Sequence, residues 1–322
     1  MTPMRWRILR LVAGGVLLLL VVAALDGAKL WQALVRSDMR VVLLAVAGLT
    51  AIHVVPAAGW RAMVRAVSGI VIGWPATLQL SYAAQAVGGI TPANLGGDVM
   101  RAAAVRAAGH DWSVTVLPII TQRATSYVAL SVLSAPALAL LASQANIAGG
   151  VVMTGAIVAV LIAAAAWLLL AGPGWVRRSA GTRWPRFNSA AGVVHPPRRT
   201  LVALAGIGLV SGLAFHAGSL LLTWVLLAGV DPATATLPVL AALTVARLSL
   251  AVPLTPSGVG IQEALVVSLV ASFGGPTEAV LAGLLLARLG LVLTTVVGAT
   301  VLATGRSGLG LGPLSGRVTP PS

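Results

Sequence analysis

Two stretches of eleven residues decide how this chain folds: GGITPANLGGD at residues 88–98 and PLTPSGVGIQE at residues 253–263. Each stands within a longer apolar segment, the first covering residues 74–108 and the second residues 233–273. Proline lacks the N–H that a helix interior needs, and glycine leaves the backbone unrestricted, so both residues at this density end helices. Each segment is therefore predicted to form helices separated by a break.

The chain around these breaks is too apolar for a water-soluble domain. Of its 322 residues, 58% are hydrophobic and 9% are charged, and the mean hydropathy is +0.99. Soluble domains carry about 25% charged residues, so lipid must be the solvent for most of this surface. Irregular backbone at membrane depth is tolerated where it is buried in protein or lines a cavity. Both broken segments are therefore predicted to be re-entrant helical hairpins.

Six further stretches are predicted to cross the hydrocarbon core, which is about 30 Å thick. They are Leu11 to Leu25, Val41 to Trp60, Trp112 to Leu141, Ile147 to Ala171, Thr200 to Val230 and Glu278 to Ala303. A signal peptide is the alternative for the first stretch, but no convincing small-x-small cleavage site follows it. The predicted fold is an all-α integral membrane protein with six full transmembrane helices and two opposed re-entrant hairpins, about eight hydrophobic segments in all. Eight plain spans are the alternative.

The distribution of positive charge sets the predicted orientation. With the first hairpin entering from the cytoplasm and the second from the opposite side, 15 of the 21 Lys and Arg residues lie inside and 3 lie outside. This bias predicts a multi-pass protein of the plasma (inner) membrane with both termini cytoplasmic. Residues 1–304 form one membrane domain with repeat-like halves at about 74–141 and 233–303. A basic cytoplasmic loop covers residues 172–199, and residues 305–322 are predicted to be a disordered tail.

The two breaks resemble each other in sequence. TPANLG at residues 91–96 and TPSGVG at residues 255–260 both match T-P-x-x-[LV]-G. An acid follows each motif, Asp98 in the first copy and Glu263 in the second, and an arginine follows each acid after 25 residues, Arg123 and Arg288. With the predicted orientation, this pattern is typical of inverted-repeat transporters, whose broken helices meet near the membrane midplane. The alternative is that Pro and Gly merely kink two ordinary helices.

Ionisable groups at membrane depth are costly and usually face a cavity or a partner. The candidate residues for substrate binding and translocation are Asp98, Arg101, Arg123, Arg247, Glu263, Glu278 and Arg288. The candidate re-entrant motif residues are Thr91, Pro92, Gly96, Gly97, Thr255, Pro256, Gly258 and Gly260. The two acids either pair with Arg123 and Arg288 or contact a headgroup or coupling ion, and helix capping with structural ion pairing is the alternative. Free N–H groups at the half-helix ends suit a phosphate. Arg247 has no counterpart in the first copy.

Several classes of function are excluded or disfavoured by composition. The net charge of +14 is assigned to cytoplasmic loops on anionic headgroups, not to nucleic-acid binding. Cysteine is absent, which excludes disulfides and thiolate sites. His53 and His216 have no ligand partners at useful spacing, so no metal site is predicted. The chain has no G-x-x-x-x-G-K-[ST] motif, and no cofactor is expected.

The motif residues resemble a known family. GGDV at residues 96–99 with Arg101 and Gln122-Arg123, and PLTPSGVGIQEA at residues 253–264 with the downstream Glu278 and Arg288, are similar to the conserved regions of the lysylphosphatidylglycerol synthase transmembrane (flippase-like) family. The resemblance implies movement of a lipid or lipid-linked headgroup between leaflets. Ser257 and Gln262 depart from the Gly and Arg usual in the family. The soluble aminoacyltransferase domain is not recognised in this chain, so lipid synthesis is not implied.

The leading hypothesis is therefore a lipid flippase or transporter, not an enzyme, that moves an anionic or modified lipid between leaflets. Its expected partners are anionic membrane lipids and a lipid-biosynthesis enzyme, and no nucleic acid is expected. The first alternative is a membrane-embedded lipid-modifying enzyme, which needs convergent acid/base or metal groups near one interface. The second is an accessory subunit of a lipid or envelope biosynthesis pathway.

Overall fold

A computed structural model describes residues 16, 19–89, 91, 95–110, 113–145, 197–251 and 255–304, and this part of the chain is helical with no strands. Its α-helices are, in chain order, α1 (Gly27–Arg36), α2 (Met39–Ala51), α3 (Val54–Ser68), α4 (Trp74–Gly89), α5 (Leu95–Ala107), α6 (Ser113–Ala145), α7 (Arg198–Val230), α8 (Leu237–Ala246), α9 (Ile261–Ser272) and α10 (Thr277–Thr304). Short 3₁₀ segments lie at Pro232–Thr234, Arg247–Ala251 and Pro256–Gly258. The all-α prediction is confirmed for these residues.

Four helical stretches in the described part of the chain are long and apolar enough to cross a membrane: Met39–Ser68, Val114–Ser143, Arg198–Val230 and Thr277–Thr304. They correspond to four of the six predicted spans. The predicted span at 147–171, most of the loop 172–199 and the tail 305–322 lie outside the described residues. Residues 11–15, 17 and 18 of the first predicted span also lie outside the described residues, and residues 16 and 19–23 of that span are helical.

The span at Met39–Ser68 extends beyond its predicted end at Trp60 and is interrupted at residues 52–53, between α2 and α3. Pro56 lies near the start of α3 and has no N–H to give to the carbonyl of Ile52. At the interruption the carbonyl of Thr50 accepts a hydrogen bond from Tyr82 Oη at 2.9 Å. The interruption therefore gives α4 a polar attachment to this span.

Each predicted broken segment consists of two helices that pack against each other, α4 with α5 and α8 with α9. Glycine is required where α4 meets α5, because a Cβ at Gly97 would overlap the carbonyl oxygen of Ala84. The described part of the second break contains left-handed backbone. Ser257 has φ 50° and ψ 24°, the left-handed region, and Gly258 and Gly260 follow with φ 69° and 83°.

In each pair, the start of the first helix and the end of the second helix are the outer termini, and both lie at the same end of the molecule. Ile70 and Ile72, just before α4, share one apolar cluster with Ala104 and Val105 at the end of α5. Val239 near the start of α8 shares another cluster with Val270 near the end of α9. The first pair follows Ser68. The second follows the end of α7, where Gly229 accepts a hydrogen bond from the N–H of Asp38 at 2.7 Å. Asp38 and Ser68 lie at the two ends of the span Met39–Ser68, so the outer termini of the two pairs lie toward opposite ends of the molecule.

The two repeats exchange contacts. The first helix of each pair packs against the last span of the other repeat, α4 on α10 and α8 on α6. The α4–α10 contact is close, because a Cβ at Gly298 would overlap the backbone at Tyr82. In the other contact, Leu248 packs with Leu130 and Leu138. This exchange, with α7 lying against α6 and α3, builds one core from both repeats.

Candidate functional site

The first ionic cluster surrounds Asp98, in the first turn of α5 and 8% exposed. Arg101 Nη2, one turn later, donates to Asp98 Oδ1 at 2.7 Å, and Arg123 Nε from α6 donates to Oδ2. A carboxylate in the first turn of a helix is favoured by the free N–H groups there. Both oxygens of the acid are thus taken by arginines.

Gln122 extends this cluster to a third element. Its Oε1 accepts from Arg101 Nη1 at 3.3 Å, and its Nε2 donates to the carbonyl of Pro56 at 2.7 Å. A polar side chain on a membrane helix commonly bonds to a neighbouring helix, and here it ties α6 to α3. The position of Arg101 is thereby fixed from two sides.

The second cluster surrounds Glu263 on α9, which is 2% exposed. Its Oε2 accepts from the N–H of Gly260 at 2.8 Å and closes the start of α9. Its Oε1 accepts from Arg288 Nε at 2.6 Å, with Arg288 Nη2 at 2.5 Å. Arg288 Nη1 also donates to the carbonyl of Ser257 at 3.0 Å. The 25-residue spacing found in the sequence thus joins an acid to an arginine in both repeats.

The two breaks differ in how their threonines are used. Thr91 Oγ1 donates to the carbonyl of Gly88 at 3.0 Å and accepts from the N–H of Gly96 at 2.9 Å. In the second break the acid takes the equivalent N–H of Gly260, and Thr255 Oγ1 is buried with no hydrogen-bond partner among the described residues. Buried polar groups are nearly always satisfied, so Thr255 is an exception that needs an explanation.

Arg247, in the 3₁₀ segment after α8, points toward α7. Its Nη1 donates to Ser219 Oγ at 2.5 Å, and its Nη2 lies 3.2 Å from the Ser219 carbonyl and 3.3 Å from Thr223 Oγ1. The 3₁₀ segment that carries Arg247 contacts the 3₁₀ turn at Pro256–Gly258, where the Ser257 carbonyl accepts from Arg288. No carboxylate contacts Arg247 in the part of the chain that the structure describes.

A hydrogen bond that was not predicted from the sequence joins α7 to α6. His216 Nε2 and Ser126 Oγ are 2.9 Å apart, across the contact between α7 and α6. Ser126 lies one turn after Arg123, and Ser219, which binds Arg247, lies one turn after His216. A signal was present, because His216, Ser219 and Thr223 recur at three- and four-residue spacing on an apolar helix and therefore share one face.

The remaining candidate residues lie apart from these contacts or outside the described chain. Glu278 accepts a hydrogen bond from Thr277 Oγ1 at 2.9 Å at the start of α10, ten residues and about 15 Å along the helix from Arg288. Pro256 begins a 3₁₀ turn, and Pro92 lies outside the described residues. No group of three or more metal-ligating side chains occurs among the described residues.

These features define a polytopic helical membrane protein with two buried ionic clusters at broken helices. The sequence profile of the lysylphosphatidylglycerol synthase TM region matches residues 7–298, so this chain belongs to that family of membrane domains. No curated protein and no solved structure matches the chain.

Proposed function

We propose that this protein is a lipid flippase that moves an anionic or modified lipid, or a lipid-linked headgroup, between the leaflets of the plasma membrane. The observation that carries this proposal is the pair of buried clusters, Asp98 with Arg123 and Glu263 with Arg288, each placed at a broken helix pair. Charged groups are retained at membrane depth where they serve a pathway. Membership of a lipid-related membrane family agrees with this assignment.

The proposed mechanism uses the opposed entry of the two helix pairs. As re-entrant hairpins from opposite faces, with both termini cytoplasmic, they bring their breaks to a common site between the repeats. A small rocking of one repeat against the other then opens that site to one leaflet at a time. The headgroup passes through the polar interior, and the acyl chains stay in lipid.

The first test measures translocation of acyl-labelled fluorescent phosphatidylglycerol in proteoliposomes, with dithionite quenching of the outer leaflet. Glu263→Gln and Arg288→Ala are expected to abolish translocation, because each leaves its partner without its counter-charge. Arg65→Gln, at an exposed position in the last turn of α3, is the matched control and should retain the wild-type rate. Wild-type rates in both cluster variants would remove the proposed site.

The second test establishes whether the helix pairs re-enter the membrane. The chain has no cysteine, so single cysteines report accessibility without background. Ala66→Cys and Ala107→Cys bracket the first pair, and Ala235→Cys and Ser272→Cys bracket the second; all four positions are exposed. A membrane-impermeant maleimide should label the first two from the cytoplasm and the last two from outside. Labelling of Ala66→Cys and Ala107→Cys from opposite sides would establish spanning helices instead.

A further inference from the structure

Arg247 is a half-buried cation that the two ionic clusters leave without an acid among the described residues. Its hydrogen bonds go to uncharged acceptors, the Ser219 hydroxyl and carbonyl and the Thr223 hydroxyl. A guanidinium held away from water is stabilised far better by an anion than by hydroxyls. The segment that carries Arg247 also contacts the turn whose Ser257 carbonyl accepts from Arg288, so a second positive charge is held at the same break.

Comparison of the two clusters shows that the arginine without a counter-charge belongs to the second repeat. In the first cluster, Asp98 gives one oxygen to Arg101 and the other to Arg123. In the second cluster, Glu263 gives one oxygen to Arg288 and the other to the N–H of Gly260. The first cluster is therefore a closed triad, and the second has no carboxylate oxygen left for its other arginine.

A second observation marks the same break. Thr255 Oγ1 is buried and has no hydrogen-bond partner in the part of the chain that the structure describes, although its counterpart Thr91 Oγ1 has two. Thr255 precedes the turn that contains Ser257, whose carbonyl is held by Arg288. The second break thus combines an unused hydroxyl donor with a surplus positive charge.

We propose that Arg247, with Arg288 and the Thr255 hydroxyl, forms an oxyanion subsite that binds a phosphate group of the ligand. Arginine presents paired N–H donors that match phosphate oxygens, and the hydroxyl acceptors that now hold Arg247 are weaker partners that phosphate displaces. The subsite rests on the proposed function, because it assigns the headgroup chemistry at that site. The subsite also makes the two repeats unequal. The second repeat binds the anion, and in the first repeat the acid is already paired with both arginines.

The test compares two probes that differ by one phosphate. Full-length protein in detergent is titrated with dioctanoyl phosphatidic acid and with dioctanoylglycerol, and affinity is measured by microscale thermophoresis. We expect the wild type to bind phosphatidic acid at least about ten-fold more tightly than dioctanoylglycerol, since hydrogen bonds to charged groups contribute about 1.5–3 kcal/mol. Arg247→Gln should lose that preference, Arg247→Lys should keep part of it, and Arg65→Gln should keep all of it. Equal affinity of the wild type for both probes, or an undiminished preference in Arg247→Gln, overturns the subsite.

Inorganic phosphate, added as a competitor, identifies the source of the anion. Competition with phosphatidic acid in the wild type and not in Arg247→Gln establishes that a free oxyanion suffices at this subsite. Absence of competition, with the phosphate preference intact, establishes that the phosphate must be carried by a lipid.

The thermal stability of the lipid-free protein separates ligand binding from a structural role. Because Arg247 is not paired with an acid, Arg247→Gln without lipid should unfold at the same temperature as the wild type or higher. Unfolding of the lipid-free variant several degrees lower would assign Arg247 to structure and overturn the subsite.

The two proposals also fail separately. If phosphate binding depends on Arg247 but no lipid is translocated, the flippase proposal is wrong. If Arg247→Gln translocates lipid at the wild-type rate, the subsite proposal is wrong.

Discussion

Ser257 is the residue at which the second break departs most from ordinary backbone geometry. It has φ 50°, a region that a residue with a side chain enters at a cost of about 1–2 kcal/mol. The carbonyl of the same residue accepts from Arg288, so the bend is fixed by the cluster. The resemblance to the family implies glycine where this chain has Ser257, and the left-handed backbone explains why glycine suits the position.

Ser257→Gly should therefore stabilise the protein by up to about 1 kcal/mol, because glycine adopts the left-handed region without strain and loses part of that gain to its freer unfolded chain. Thermal unfolding in detergent measures the change. The matched control is Ser268→Gly, at an exposed position within α9. There glycine should destabilise by about 0.5 kcal/mol. A fall in stability for Ser257→Gly would contradict the presence of backbone strain at Ser257.

Asp98 carries the charge balance of the first cluster. Asp98→Asn leaves Arg101 and Arg123 without a counter-charge and should lower the free energy of unfolding by about 3–5 kcal/mol. Asp38→Asn is the control, because Asp38 caps α2 at an exposed position and Asn caps a helix equally well. Denaturant unfolding of both variants checks the difference. Similar stability for the two would mean that the first triad is not paired.

The helices α4 and α5 show how a sequence without strong amphipathic pattern still specifies a close pair. Contact is made through small residues, with Gly97 lying directly on the backbone at Ala84. In lipid, where apolar side chains gain little by avoiding the solvent, close backbone approach supplies much of the packing energy. Gly97 was assigned to the break from the sequence, and the structure shows it as a helix contact as well.

Gly97→Ala should separate the two helices and destabilise the protein by about 1–3 kcal/mol, because its new Cβ meets backbone that cannot give way. Gly206→Ala is the matched control. Gly206 lies within α7, and the space that a Cβ would take there is open, so alanine should be neutral or stabilising by up to about 1 kcal/mol. Thermal unfolding distinguishes the two, and equal effects would argue against a close α4–α5 contact.

At the element level, the sequence predicted the position of each break and the ends of most long helices, because proline, glycine and long apolar runs act locally. It did not predict the interruption at residues 52–53 or the short helix α1. The partners of Arg247 were also missed, since Ser219 and Thr223 lie on a distant segment and hydroxyls are common in membrane helices. Pairing of each acid with its arginine was one of the readings left open, and the fold selects it.

In the whole molecule, the exchange of contacts between repeats makes each half depend on the other. α4 packs on α10, and α8 packs on α6, so a half on its own lacks a main packing partner for both its broken pair and its last span. We expect a chain split within residues 172–199 to yield protein when both halves are co-expressed, with the fragments co-purifying. Each half alone should aggregate, as judged by size-exclusion chromatography. A monodisperse half would contradict this mutual dependence.

The same exchange has a consequence for stoichiometry. A protein made of a single span–broken pair–span unit has no last span from another repeat on which to lay its broken pair, and a second copy of itself would supply one. The present chain has both partners of each such contact within one polypeptide, so they are always present in equal number. The two sites therefore need not be alike, and Arg247, which has no counterpart in the first repeat, is one difference between them.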